Sequence, residues 1–308
     1  MQGLKADKKI KTVCLVLIAA VLAVMPVHNG VGAAGERRVT DQAGKDVRVP
    51  ASPKRVVALA PSVTEIVFAL NREELLVGVT RFSNYPEAAA RLPVVGSYVN
   101  LDVEIIVSLE PDLCIAVKDG NPLRAIRRIE DMGIPVFAVD PMEIDAVIRS
   151  IADIGFLLNA GERAGELISD MEARMDKIDK RVSGVSERPS VFFQIGVSPI
   201  VSAGEGTFID ELIERAGGVN AAGRYSGYPK FSKEEVLALA PDVMILTSMA
   251  RQKVFDDVMR EWRQWDNLPA VQSDRIHMVD SDLYDRPSPR LIKGLEELAA
   301  LLHPRLFE

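Results

Sequence analysis

The side chains of this 308-residue chain with the most reactive chemistry are few and scattered. Its three histidines, His28, His277 and His303, lie far apart, and isolated imidazoles do not assemble a His-rich zinc or manganese site. His277 falls in an apolar run, where a core or surface role is expected. Of the two cysteines, Cys14 lies in an apolar N-terminal run, and Cys114, within Leu113-Cys-Ile-Ala-Val117, is expected to be a buried structural thiol. Gly204-Glu-Gly206 is too short for a dinucleotide loop. There is no Gly-Lys-Ser/Thr phosphate loop and no Gly-x-Ser-x-Gly nucleophile elbow. No catalytic residue and no metal site are assigned, and binding without turnover is expected.

The tyrosines point elsewhere. All five, Tyr85, Tyr98, Tyr225, Tyr228 and Tyr284, fall in segments read as loops, several with Pro or Gly close by. Amphipathic rings on loops that face a cleft supply broad flat contact area and an occasional hydrogen bond. Trp262 and Trp265 sit in a helical stretch and are expected in the core. Asp282 and Arg286 occur in Asp280-Ser-Asp-Leu-Tyr-Asp-Arg-Pro-Ser-Pro-Arg290, an irregular segment after the last strand. A loop at a strand's carboxyl end is where open α/β sheets place ligand groups. An ion pair or a helix cap, the latter favoured for Ser288, is the simpler use of such residues. Glu104 and Glu234 each open a helix, where the helix dipole favours a carboxylate. Their equivalence also suits docking onto arginines of a two-fold partner.

These residues need a scaffold, and it reads as α/β. Arg55–Ala60, Leu113–Val117 and Val136–Val139 are short apolar runs typical of buried parallel strands. Ser62 and Glu65 have capping-box spacing at the start of a helix. Ser190–Ile195, Val243–Leu246 and Ile276–Val279 repeat the plan, with Thr207 capping a helix that ends at Gly217-Gly218. Residues 103–115 align without gaps on residues 233–245, each a helix, a Pro-Asp corner and a strand. Between the halves, Ala164, Leu167, Ile168, Met171, Met175, Ile178 and Val182 recur at helical spacing, with no Gly or Pro from Glu166 to Ser183. The expected organisation is an N-terminal lobe over 35–158, a rigid linking helix over 159–186 and a C-terminal lobe over 187–308. The ligand cleft lies between the lobes, with little hinge closure.

Composition agrees with a globular chain: 48% hydrophobic, 26% charged, formal net charge -7. That acidic balance argues against nucleic acid or an anionic membrane as partner. Lys5, Lys8, Lys9 and Lys11, the apolar run Val13–Met25 and the small residues Gly32 to Gly35 form a secretory signal over residues 1–34. Cleavage is expected near residues 33–35, giving a periplasmic protein. No small residue directly precedes Cys14, so lipoprotein processing there is not expected.

The segments 55–70, 81–112, 190–217, 228–242 and 280–290 together resemble the periplasmic cobalamin-binding proteins of ABC importers. More widely they are similar to the helical-backbone class that binds haem, ferric siderophores and corrinoids. Asn84-Tyr85-Pro86, Glu110-Pro111-Asp112, Gln194-Ile-Gly196 and Ser288-Pro289-Arg290 carry the resemblance. It implies that Phe82, Tyr85, Tyr98, Ile195, Tyr228, Asp282 and Arg286 line the cleft, with Ser62 at its floor. It implies that Glu104 and Glu234 dock on a permease dimer that works with ATPase subunits. It implies a corrinoid ligand, carried as cargo and not as a cofactor, with haem or a ferric siderophore as the alternative, and a free protein expected to be a monomer. Tyrosine or valine at 98, 117 and 228, where such proteins have tryptophan, and isoleucine at 195 in place of phenylalanine make the aromatic shell thinner.

Overall fold

A computed structural model describes residues 35–247 and 252–308. The proposed signal, with Cys14 and His28, lies outside the described residues. A hairpin of Glu36–Thr40 and Asp46–Pro50 opens the described chain. A four-stranded parallel sheet follows, in the order Leu76–Val79, Val56–Ala58, Leu113–Val117, Val136–Val139. The second sheet is built on Ser190–Val197, with Val243–Leu246 and then Ile276–Met278 parallel to it. Ile200–Ser202 and Lys230–Phe231 extend it antiparallel on the other side.

Both sheets are buried on both faces, which explains strands that are apolar without interruption. Side chains still alternate between two layers. Val56, Ala58 and Ile115 join one large core cluster, while Val57, Leu59 and Cys114 join a smaller one on the opposite face. In the second lobe Val191, Phe193 and Ile245 enter the same large cluster, and Phe192, Met244 and Leu246 face away from it. The two lobes therefore share one core. The linking helix, Gly161–Val182, packs along that core by one face, about 33 Å long at 1.5 Å per residue. Its buried stripe is Ala164, Met171, Met175, Ile178 and Val182. Arg174 pins it to the helix Leu291–Leu302 through a two-point ion pair with Glu296, 2.9 and 2.8 Å.

The internal repeat is structural. The helix Val103–Ser108 and the strand Leu113–Val117 match the helix Lys233–Leu239 and the strand Val243–Leu246. Each helix ends in a left-handed residue, Glu110 at φ 45° and Ala240 at φ 46°. Each Pro-Asp corner then clamps the start of its lobe's central strand. Asp112 accepts the Lys54 and Arg55 amides, and Asp242 accepts that of Ser190.

Three local expectations change. The helix Pro61–Ala69 has no side-chain cap, because Ser62 is buried inside its first turn and Glu65 turns towards the other end of the chain. Tyr284 is not in a loop. It ends the short helix Ser281–Tyr284, is 0% exposed, and donates its hydroxyl to the Gly294 carbonyl at 2.8 Å. Trp262 is in the core, but Trp265 lies past the end of its helix and is exposed. Thr207 does cap the helix Phe208–Arg215.

Candidate functional site

The carboxyl ends of the strands bring the candidate residues together. Leu113–Val117 delivers Val117, Ser190–Val197 delivers Ile195, and Val243–Leu246 leads into Thr247. Gly196 allows the second of these strands to turn back, because a Cβ there would stand 2.9 Å from the Val201 side chain. Above these strand ends two pockets adjoin, about 390 and about 320 Å³. They share Tyr98, Val117, Gly120, Asp285 and Pro287. The first adds Ser62, Phe82, Asn84, Asp282 and Arg286. The second adds Ile195, Phe208, Ile209 and Tyr228, with Asp119 and Asp140 at its edge. Residues from both lobes thus line one cleft. A larger groove of about 1010 Å³ opens at the amino ends of the second lobe's strands, and none of the expected residues lines it.

Seven of the eight expected cleft residues line these two pockets. Tyr85 does not: it is 46% exposed, and the Arg290 guanidinium sits 3.8 Å from its ring centroid. Arg286 reaches the first pocket but is a structural tie. Its guanidinium meets Glu65 at 2.9 Å, Asn84 Oδ1 at 2.7 Å, the Phe82 carbonyl at 3.0 Å and Asp282 at 2.5 Å. Glu65, 2% exposed at its side chain, also takes Arg290 at 3.1 Å and the Ser288 hydroxyl at 2.6 Å. Ser288 does not cap the helix Leu291–Leu302, whose N-cap is Arg290 without a side-chain cap; it accepts the Arg290 amide at 3.3 Å and gives its proton to Glu65. A buried carboxylate needs this many donors, since an unpaired one costs several kcal/mol.

Asp285 escaped the sequence reading. It stands where the two pockets meet and accepts the Thr247 hydroxyl, at 2.9 Å to one carboxyl oxygen and 3.2 Å to the other. Burial is the chief reason its carboxyl is pushed up to about 7, helped by the charges of Asp282 and Asp280 against the pull of Thr247 and Arg286. The hydroxyls of Tyr98 and Tyr228 are raised as well, Tyr228 to about 12, first by burial and then by Asp285. In the sequence Asp285 is one of three aspartates in six residues, and only the fold separates it from Asp280 and Asp282.

Glu104 and Glu234 lie away from the cleft, each in the first turn of its helix and exposed. Glu104 is 3.8 Å from Arg128, with a side chain 90% exposed. Glu234 neighbours a complete capping box made by Ser232 and Glu235. Cys114 is buried, and burial pushes its thiol up to about 12, which suits a structural residue. His277 stays on the strand Ile276–Met278.

The arrangement has close relatives. A sequence profile of the family described as periplasmic binding protein matches residues 56–283. An uncharacterised ABC transporter substrate-binding lipoprotein of Bacillus subtilis is 33% identical over 276 residues, 88% of this chain and 86% of that protein. The crystal structure of the periplasmic vitamin B12 binding protein of Vibrio cholerae is similar with a TM-score of 0.73 at 26% identity, covering 84% of this chain and 100% of that one. A periplasmic haem binding protein from Pseudomonas aeruginosa is similar with a TM-score of 0.76 at 26% identity, covering 82% and 93%.

Proposed function

This chain belongs to the periplasmic binding protein family, and from that premise we propose that it captures cobalamin or a related corrinoid and delivers it to an ABC importer. Substrate-binding proteins of ABC transporters work with a permease and its ATPase. Within that frame the ligand would be cargo, held without chemistry, by an exported protein whose signal is residues 1–34.

The observation that carries the choice of ligand is the charge of the cleft. Its described lining includes the carboxylates Asp119, Asp140, Asp282 and Asp285 and a single cation, Arg286. That cation is already committed to Glu65, Asp282, Asn84 and the Phe82 carbonyl. Haem carries two carboxylates, and placing them here brings like charges together without a free partner. Tyr98 and Tyr228 offer hydroxyls for iron, but burial holds both in the neutral form. A corrinoid presents a broad macrocycle ringed by neutral amides. Phe82, Tyr98, Ile195 and Tyr228 give it flat apolar contact, Asp282 accepts from its amide N–H groups, and the Ser62 hydroxyl can accept from or donate to its amides.

Titration calorimetry of the purified protein against cyanocobalamin, haemin and a ferric hydroxamate tests it. Binding of cyanocobalamin, with none of haemin, is expected. Haemin binding without corrinoid binding overturns the reading.

A further inference from the structure

Building on the corrinoid reading, we propose that Asp285 selects the ligand at the floor of the cleft by accepting an N–H donor from it, and that ligand capture thereby drives a proton off the protein. The geometry sets this up. Asp285 has two carboxyl oxygens, and its one donor among the described side chains is the Thr247 hydroxyl, lying within reach of both. One hydroxyl proton satisfies only one oxygen at a time. Among the described residues the other has no donor of its own, in a place where a half-satisfied carboxylate is costly. That shortage falls at the junction of the two pockets, which Asp285 lines with Tyr98, Val117, Gly120 and Pro287 and which a ligand filling both has to cover.

The surroundings reinforce it from every side. Tyr98 and Tyr228 flank Asp285 with neutral rings, the hydroxyl of each raised first by burial and then by the charge of Asp285. Asp280 and Asp282, on the segment just before it, disfavour the ionised form. Arg286, next in the chain, favours that form, but Arg286 is drawn towards Glu65 and Asp282. Asp119 and Asp140 add negative charge at the far edge of the second pocket, where Lys118 offsets Asp140 at 2.7 Å. With its carboxyl near 7, Asp285 is divided between the two forms in the empty protein at neutral pH.

A ligand N–H completes the carboxylate and so binds the ionised form. By linkage, binding lowers the carboxyl's affinity for its proton, and the proton leaves. Affinity is then level on the alkaline side and falls as pH drops through about 7, by up to tenfold per pH unit. A ligand whose nearest group is a carboxylate binds the protonated form instead, so its affinity falls as pH rises through about 7, the opposite slope. Asp285 is in this sense a specificity residue, and Thr247 is a positioning residue that acts through it.

Calorimetric titration of the full chain with cyanocobalamin, in buffers of different ionisation enthalpy and across about pH 5.5 to 8.5, reads the proton directly. The expected result is a fraction of a proton released per ligand near neutrality, and affinity about tenfold weaker at pH 6 than at pH 8. Asp285→Asn should remove both the release and the slope. Thr247→Val removes the hydroxyl and should shift the midpoint of the slope to higher pH, a movement that a purely structural role would not produce. Circular dichroism checks that each variant folds, and Asp285→Glu should restore a pH-dependent affinity if Asp285→Asn proves unstable. Tight binding with no proton release, or an Asp285→Asn variant that keeps the wild-type slope, overturns this inference and leaves the corrinoid reading standing. No corrinoid binding at any pH overturns both.

Discussion

At the scale of single residues, the cleft separates contact from support. Tyr98 and Tyr228 place rings in the pockets, and Tyr228 remains 41% exposed. Tyr98→Ala and Tyr228→Ala should each weaken cyanocobalamin binding by about 1–3 kcal/mol through lost aromatic contact. Melting should barely change, since neither ring belongs to the core; calorimetry and a thermal melt check the two halves of that statement. Arg286 and Glu65 instead support the cleft from below. Their distinct roles were not legible in the chain. Glu65 stands three residues after Ser62, a spacing equally suited to capping a helix and to reaching a distant arginine. Only the approach of residues 286–290 decides between the two. Tyr284 misled for a similar reason. Nearby prolines read as loop, yet the ring is buried against Phe193, with centroids 5.6 Å apart.

At the scale of elements, the repeat is the feature that sequence carried best. Helix, Pro-Asp corner and strand keep the same apolar spacing at the same interval in both lobes, because each must bury one helix face and one strand in the same geometry. The left-handed corner was not visible, since neither glutamate nor alanine favours that conformation. Ala240 pays a steric cost there that glycine avoids. Ala240→Gly should therefore stabilise the protein by about 0.5–1 kcal/mol, relief of the left-handed strain exceeding the extra freedom of the unfolded chain. Urea denaturation should show a higher midpoint with an unchanged slope. An unchanged or lower midpoint would mean that the corner is not strained.

At the scale of the whole molecule, one continuous core and a single long helix packed along it join the two lobes. This favours delivery by docking of preset surfaces. If Glu104 and Glu234 are the docking points, one per lobe, then Glu104→Lys together with Glu234→Lys should abolish uptake while leaving ligand affinity intact. Both carboxylates are exposed, so each alone contributes about 0.2–1 kcal/mol and single alanine variants should be partly tolerated. Reversal replaces attraction by repulsion. An uptake assay in reconstituted vesicles measures it, and wild-type uptake by the double variant would leave these glutamates as helix-start residues only. The Glu65 cluster adds a consequence in time. Glu65 and Arg286 are 221 positions apart, so a chain made from its amino end presents the carboxylate long before its partners exist. Until they arrive, that carboxylate keeps its water and the first lobe cannot dry its own floor. The final segment is thus a late keystone: the lobe that begins first is finished last, by the other end of the chain.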